Sequence, residues 1–85
     1  MITIDQLSDL YGFVDEFNSV VSVVGVEKNA CELRLYINNN DFRNSTRLHV
    51  LVDDFRYPTL TFLFVGLHFN IDDNIACFTF RLQKN

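Results

Sequence analysis

The sequence predicts an α+β domain in which an N-terminal amphipathic helix packs on a four or five stranded antiparallel β-sheet, laid out as a meander. Three observations predict it. A helix-start signature precedes an apolar stripe at three and four residue steps, the character turns to β after Asn18, and the connections are too short for a crossover helix. Residues 1–85 read as a single domain with no linker and no low-complexity tract.

The helix comes first. Thr3 followed three residues later by Gln6 matches the capping box, in which hydroxyl and amide side chains satisfy helix-end donors reciprocally, so the helix is expected to begin at about Ile4. Ile4, Leu7, Leu10, Tyr11, Val14 and Phe17 form the stripe, with Asp5, Asp9, Asp15 and Glu16 largely outside it. Gly12 costs roughly 1 kcal/mol relative to Ala but would let the backbone approach a sheet closely; a helix break there is the alternative.

Five β-rich segments follow: 20–26, 31–38, 46–52, 59–69 and 75–82. Their connections of about four to eight residues suit hairpins. Pro58 stands just before a strand, where a missing N–H does least harm. Parity then assigns faces. Cys31, Leu33, Leu35 and Ile37 oppose Glu32, Arg34, Tyr36 and Asn38; Leu48, Val50 and Val52 oppose Arg47, His49 and Asp53. Ala76, Phe78, Phe80 and Leu82 oppose Ile75, Cys77, Thr79 and Arg81, a weaker contrast.

The segment TLTFLFVGLHF (59–69) breaks the pattern by being apolar on both sides, which marks it as the central or doubly covered strand. Leu60, Phe62 and Phe64 point one way, while Leu63, Val65, Leu67 and Phe69 point the other. Four such side chains left in water forgo about 6–12 kcal/mol in total, at roughly 1.5–3 each, which rivals the ~5–15 kcal/mol stability of a whole domain. The second face therefore calls for cover from the same chain or from another. A bulge at Gly66 would return Leu67 and Phe69 to the side of Phe62 and Phe64, leaving Leu63 and Val65 opposite.

Composition narrows the function. Eleven acidic against seven basic residues give a formal charge of −4, which disfavours nucleic acid as a partner. The acids are too few, and too offset by bases, for a mimic of a phosphate backbone. Nearly half the residues are hydrophobic and nine are Phe, as a packed core requires. No apolar run approaches the ~18 residues that span a bilayer and no signal sequence is apparent, so a cytoplasmic protein without membrane partners is expected. Cys31 and Cys77, with no CxxC pairing, read as buried thiols in a reducing compartment.

Asp-Phe-Arg occurs twice, within NDFRN (40–44) and DDFRY (53–57), each time in an expected loop and some 23 Å apart along an intervening strand at ~3.3 Å per residue. Phe42, Arg43, Phe55, Arg56 and Tyr57 are residue types that fill partner pockets; alternatively the aromatics fold back to plug the core. His49 and His68, with the two cysteines, lack the paired spacing of a metal site, so no metal or other cofactor is expected. No phosphate loop, HExxH or GxSxG occurs, and Asp53/Asp54 and Asp72/Asp73 suit turns, so no enzyme is expected.

The expected function is that of a small non-enzymatic protein-binding domain, an inhibitor or adaptor occupying a partner's surface through Phe42, Arg43, Phe55, Arg56, Tyr57, Leu63 and Val65. By analogy with other small acidic proteins, an antagonist of a host system carried by a phage or mobile element is its specific form. A homodimeric assembly subunit, its extra face the dimer contact, is the alternative. A ligand-binding or enzymatic domain completed at a dimer interface is the second.

Overall fold

A computed structural model describes residues 2–38, 54–70 and 72–85. Helix α1 (Ile4–Asn18) starts as expected: the Gln6 N–H donates to Thr3 Oγ1 at 3.1 Å and the Thr3 N–H to Gln6 Oε1 at 3.0 Å. It runs through Gly12 without a break, since one glycine costs less than the tertiary contacts return. Its buried residues are Leu10, Phe13 and Phe17, whereas Ile4 is 86% exposed and Tyr11 49%. At 100° per residue, Leu10, Phe13 and Phe17 fall within about 60° of one another, and Ile4 and Tyr11 lie more than about 100° from their mean direction. The expected stripe was thus rotated towards the wrong flank and omitted Phe13.

Strands β1 (Val23–Lys28), β2 (Glu32–Asn38), β3 (Phe55–Arg56), β4 (Leu60–Asn70) and β5 (Ile75–Lys84) form one antiparallel sheet in the order β1-β2-β5-β4-β3. Two local units, the β1-β2 hairpin and the β3-β4-β5 meander, join where β2 pairs with β5. The centre of the sheet is therefore β5, and β4 is one strand in from the edge. Val20 and Val21, expected in the first strand, belong instead to the turn after α1, where their N–H groups donate to the Phe17 carbonyl. The expected strand at 46–52, with its apolar face of Leu48, Val50 and Val52, lies outside the described residues. Phe55 and Arg56, expected in a loop, pair with Phe62 and Thr61 as β3.

Alternation holds across β2 and β5. Leu33, Leu35, Ile37, Ala76, Phe78, Phe80 and Leu82 face α1 and are buried, joined by Leu60 and Phe62. In β4 the register shifts between Phe64, opposite Phe80, and Gly66, opposite Thr79. The bulge admits Val65 as an extra residue, so Leu67 and Phe69 come opposite Phe78 and Ala76 on the helix side. No glycine among the described residues has a positive φ, and a Cβ built on Gly66 meets nothing within 4 Å.

Polar ties hold the helix down. The Thr59 N–H and hydroxyl both donate to Asp9 Oδ2, at 2.8 and 2.5 Å, and the Tyr57 hydroxyl donates to Glu16 Oε2. Lys28 Nζ donates to the Tyr11 hydroxyl at 2.6 Å and lies 4.4 Å from that ring's centre, pinning the β1 edge. The expectation of two buried thiols is corrected at both: the Asn29 side chain accepts from the N–H groups of Cys31 and Glu32 in a turn, which leaves Cys31 exposed ahead of β2, and Cys77 is half-buried on the face of β5 away from the helix. Among the described residues no helix is long and apolar enough to cross a membrane.

Candidate functional site

The helix covers one face of the sheet, and no described element packs on the other. Parity sends Arg34 and Tyr36 of β2, Ile75, Cys77, Thr79 and Arg81 of β5, and Leu63 and His68 of β4 to this second face. The cross-strand register arranges them in rows. One runs Glu27, Arg34, Thr79 and Gly66; the next runs Gly25, Tyr36, Cys77 and His68. The nearest charges on the first row are tied locally, with Arg34 Nε donating to Glu32 Oε1 at 3.4 Å. The adjacent Glu32 carboxylate is the main cause that raises the Arg34 pKa above its ordinary value.

Tyr36 organises the second row. Its ring lies over Gly25, 3.5 Å from where a Cβ would stand, so the aromatic fills the space the glycine leaves on the edge strand. Its hydroxyl donates to Glu27 Oε1 at 2.5 Å, and that hydrogen bond is the leading cause of a phenol pKa above the ordinary value. The β1 register shifts between Val23 and Gly25, and Val24 at that bulge is 58% exposed.

Beyond this row the face dips into a depression of about 410 Å³ between β1 and the β4–β5 turn. Tyr36, Cys77 and Ile75 line it, with Val24 and Glu27 on the β1 side and His68, Asn70 and Asp73 on the turn side. The turn is built by local chemistry. Asn70 Oδ1 accepts from the N–H groups of Asp72 and Asp73, and Asn74 takes a φ of 55°, a conformation asparagine tolerates better than most residues. Asn70 Nδ2 donates to Asp73 Oδ2 at 3.0 Å, holding that carboxylate at the rim.

The residues expected to bind a partner are divided by the structure. Phe55 and Tyr57 are half-buried on the helix side, their ring centres 5.0 and 6.1 Å from that of Phe13, in the manner of core plugs. Arg56 is exposed on the second face, Leu63 is half-buried there opposite Arg81, and Val65 is 61% exposed at the bulge. Phe42 and Arg43 lie outside the described residues. Tyr36, Glu27, Asn70 and Asp73 were not singled out by the sequence, because only the pairing of β2 with β5 brings them to one depression. The register of β1 with β2 was the accessible signal, since it sets Tyr36 opposite a glycine.

Chemically the face offers recognition groups. Cys77 and His68 are register neighbours, but the Cys77 thiol has Thr79 Oγ1 at 3.9 Å as its polar contact. Among the described residues no three His, Cys, Asp or Glu side chains converge as a metal site. No protein-family model, curated protein or solved structure matches this chain. Its functional reading rests on its own residues.

Proposed function

We propose that this chain is a non-enzymatic protein-binding domain of the cytoplasm, an inhibitor or adaptor, which occupies a partner protein's surface with the second face of its sheet. The observation that carries the reading is the apolar content of that face. Leu63, Val65, Ile75 and Tyr36 stand on a sheet whose other side already holds the core, and Val65 and Val24 remain 61% and 58% exposed. Covering each such side chain contributes roughly 1.5–3 kcal/mol. Charged side chains flank this apolar part of β4 on either side, Arg81 of β5 opposite Leu63 and Arg56 of β3 opposite Thr61. An antagonist of a host system is the form of inhibitor this small acidic chain best suits.

The face also carries both charge signs, Glu27 and Glu32 beside Arg34 and Arg81, which suits a two-fold contact with a second copy. Its size ranks that reading second. Four strands ~4.8 Å apart and about 25 Å long present on the order of 500 Å². Two copies would bury about 1,000 Å², below the ~2,000 Å² of an obligate dimer.

The test is affinity capture from a lysate of the native host with the wild-type chain and with a Leu63→Asp/Val65→Asp variant of unchanged circular dichroism. A defined protein retained by the wild type and lost with the variant is expected. Equal retention by both removes the second face as the binding surface. A stable dimer at low micromolar concentration in solution, dissociated by the same variant, would replace the first reading with the second.

A further inference from the structure

The depression beside Tyr36 has a charge character that the rest of the second face lacks. Glu27 stands at one side and Asp73 at the other, and neither lysine nor arginine lines it. The nearest guanidinium on the face, Arg34, pairs with Glu32 and also hydrogen-bonds the Tyr36 side chain, but it does not line the depression. Both carboxylates are held in place by one hydrogen bond each, from the Tyr36 hydroxyl and from Asn70 Nδ2. A carboxylate has about four lone-pair sites, so each retains most of its accepting capacity. Between them lie the Tyr36 ring and the apolar walls of Val24 and Ile75.

This combination matches one kind of occupant. A long cationic side chain has an aliphatic stem that packs on apolar surface and a charged head that seeks carboxylates and the face of an aromatic ring. At about 410 Å³ the depression lies near the lower end of the ~300–1,000 Å³ of ligand sites, a scale suited to one side chain and its flanks. The chain's formal charge of −4 draws cationic surfaces towards it.

We infer that the depression between Glu27, Tyr36 and Asp73 receives an arginine or lysine side chain presented by the partner protein, so that the partner is one with a basic contact surface. This rests on the protein-binding reading above and names the chemistry of its partner. Leu63 and Val65 then supply apolar contact, while the depression supplies register and selectivity for a positively charged residue.

The experiment uses the full chain, isotopically labelled, titrated with N-acetyl-arginine amide, N-acetyl-lysine amide and N-acetyl-glutamate amide while amide resonances are followed. Saturable shifts at Val24, Tyr36, Ile75 and Cys77 with the arginine or lysine probe, weakened by salt, are expected. Exchanging both carboxylates for amides, Glu27→Gln/Asp73→Asn, keeps their shape and should weaken binding about fivefold to tenfold, as for two partly exposed ion pairs. Equal shifts from the glutamate probe, no shifts, or no effect of the double exchange would overturn the assignment. Tighter binding of free L-arginine than of the capped residue would overturn it in favour of a small metabolite. The two readings fail separately. Capture that depends on Leu63 and Val65 but ignores Glu27→Gln/Asp73→Asn removes only the cation site, whereas probe binding without any captured protein removes the protein partner.

Discussion

Phe13 touches five aromatic rings: it stacks on Phe62 at 4.2 Å and 16°, meets Phe80 and Phe55 at 5.0 Å, and reaches Phe17 and Tyr57 at 6.0 and 6.1 Å. Such pairs contribute about 0.5–1.5 kcal/mol beyond their burial, so one ring on the helix carries much of the contact between the helix and the β3-β4-β5 unit. The stripe read from sequence missed it because Ile4 and Tyr11 are as apolar as true core residues. Only the position of the sheet decides which of two overlapping arcs is buried. The same rotation explains Asp9 and Glu16, expected largely outside the stripe, which flank the buried arc and so reach Thr59 and Tyr57. Phe13→Ala is expected to cost about 3–5 kcal/mol. At ~0.05–0.15 kcal/mol per residue that is a large part of the whole stability of a chain of 85 residues. Urea denaturation checks it: a midpoint within experimental error of wild type would mean that the aromatic hub does not hold the helix.

At the scale of elements, legibility followed the range of the interactions involved. The capping box and the alternation of β2 and β5 are local patterns, and they were readable because each depends on residues within one segment. The bulge in β4 was readable as one of two alternatives, from Gly66 and from the apolar excess around it. The structure gives the bulge without requiring glycine there, since Gly66 has no positive φ and open space where a Cβ would stand. Gly66→Ala is therefore expected to stabilise the domain by about 0.4–1 kcal/mol, by narrowing the unfolded chain's freedom without native strain. A rise in thermal midpoint with unchanged near-ultraviolet dichroism is the anticipated result. A fall would mean that the bulge needs a backbone conformation only glycine supplies. The order of the strands was not readable, because it rests on β2 meeting β5 across about 40 residues of sequence, and hydrophobic periodicity carries no record of which strands are neighbours. The depression shares that fate, being made of four strands and a turn that the order brings together.

For the molecule as a whole, the question is what keeps a single helix seated on a sheet that lacks described cover on its other side. Apolar packing through Phe13 and Phe17 is one part. The other is a set of polar ties on the two flanks of the helix, Asp9 to Thr59 and Glu16 to Tyr57 at the β3–β4 connection, and Tyr11 to Lys28 at the β1 edge. The Tyr57 tie gives this arrangement a pH signature. Burial, then the hydrogen bond to Glu16 and the charges of Glu16 and Asp9, raise the Tyr57 phenol well above its ordinary value near 10. The folded state thus keeps a proton that the unfolded chain releases once the pH passes about 10. Stability from this source is fully present below that pH and declines as the pH rises towards the folded-state value, because the unfolded state then binds fewer protons than the native one. Tyr36, raised mainly by its bond to Glu27, acts in the same direction, so the decline is shared between the two faces of the sheet. Tyr57→Phe should lower stability at neutral pH by about 1 kcal/mol through the lost hydrogen bond and should flatten the decline above about pH 10. Urea midpoints for wild type, Tyr57→Phe and Tyr36→Phe at neutral pH and at about pH 11 separate the contributions. If the wild type and Tyr57→Phe lose stability in parallel over that interval, the tie between Tyr57 and Glu16 does not hold the helix to the sheet.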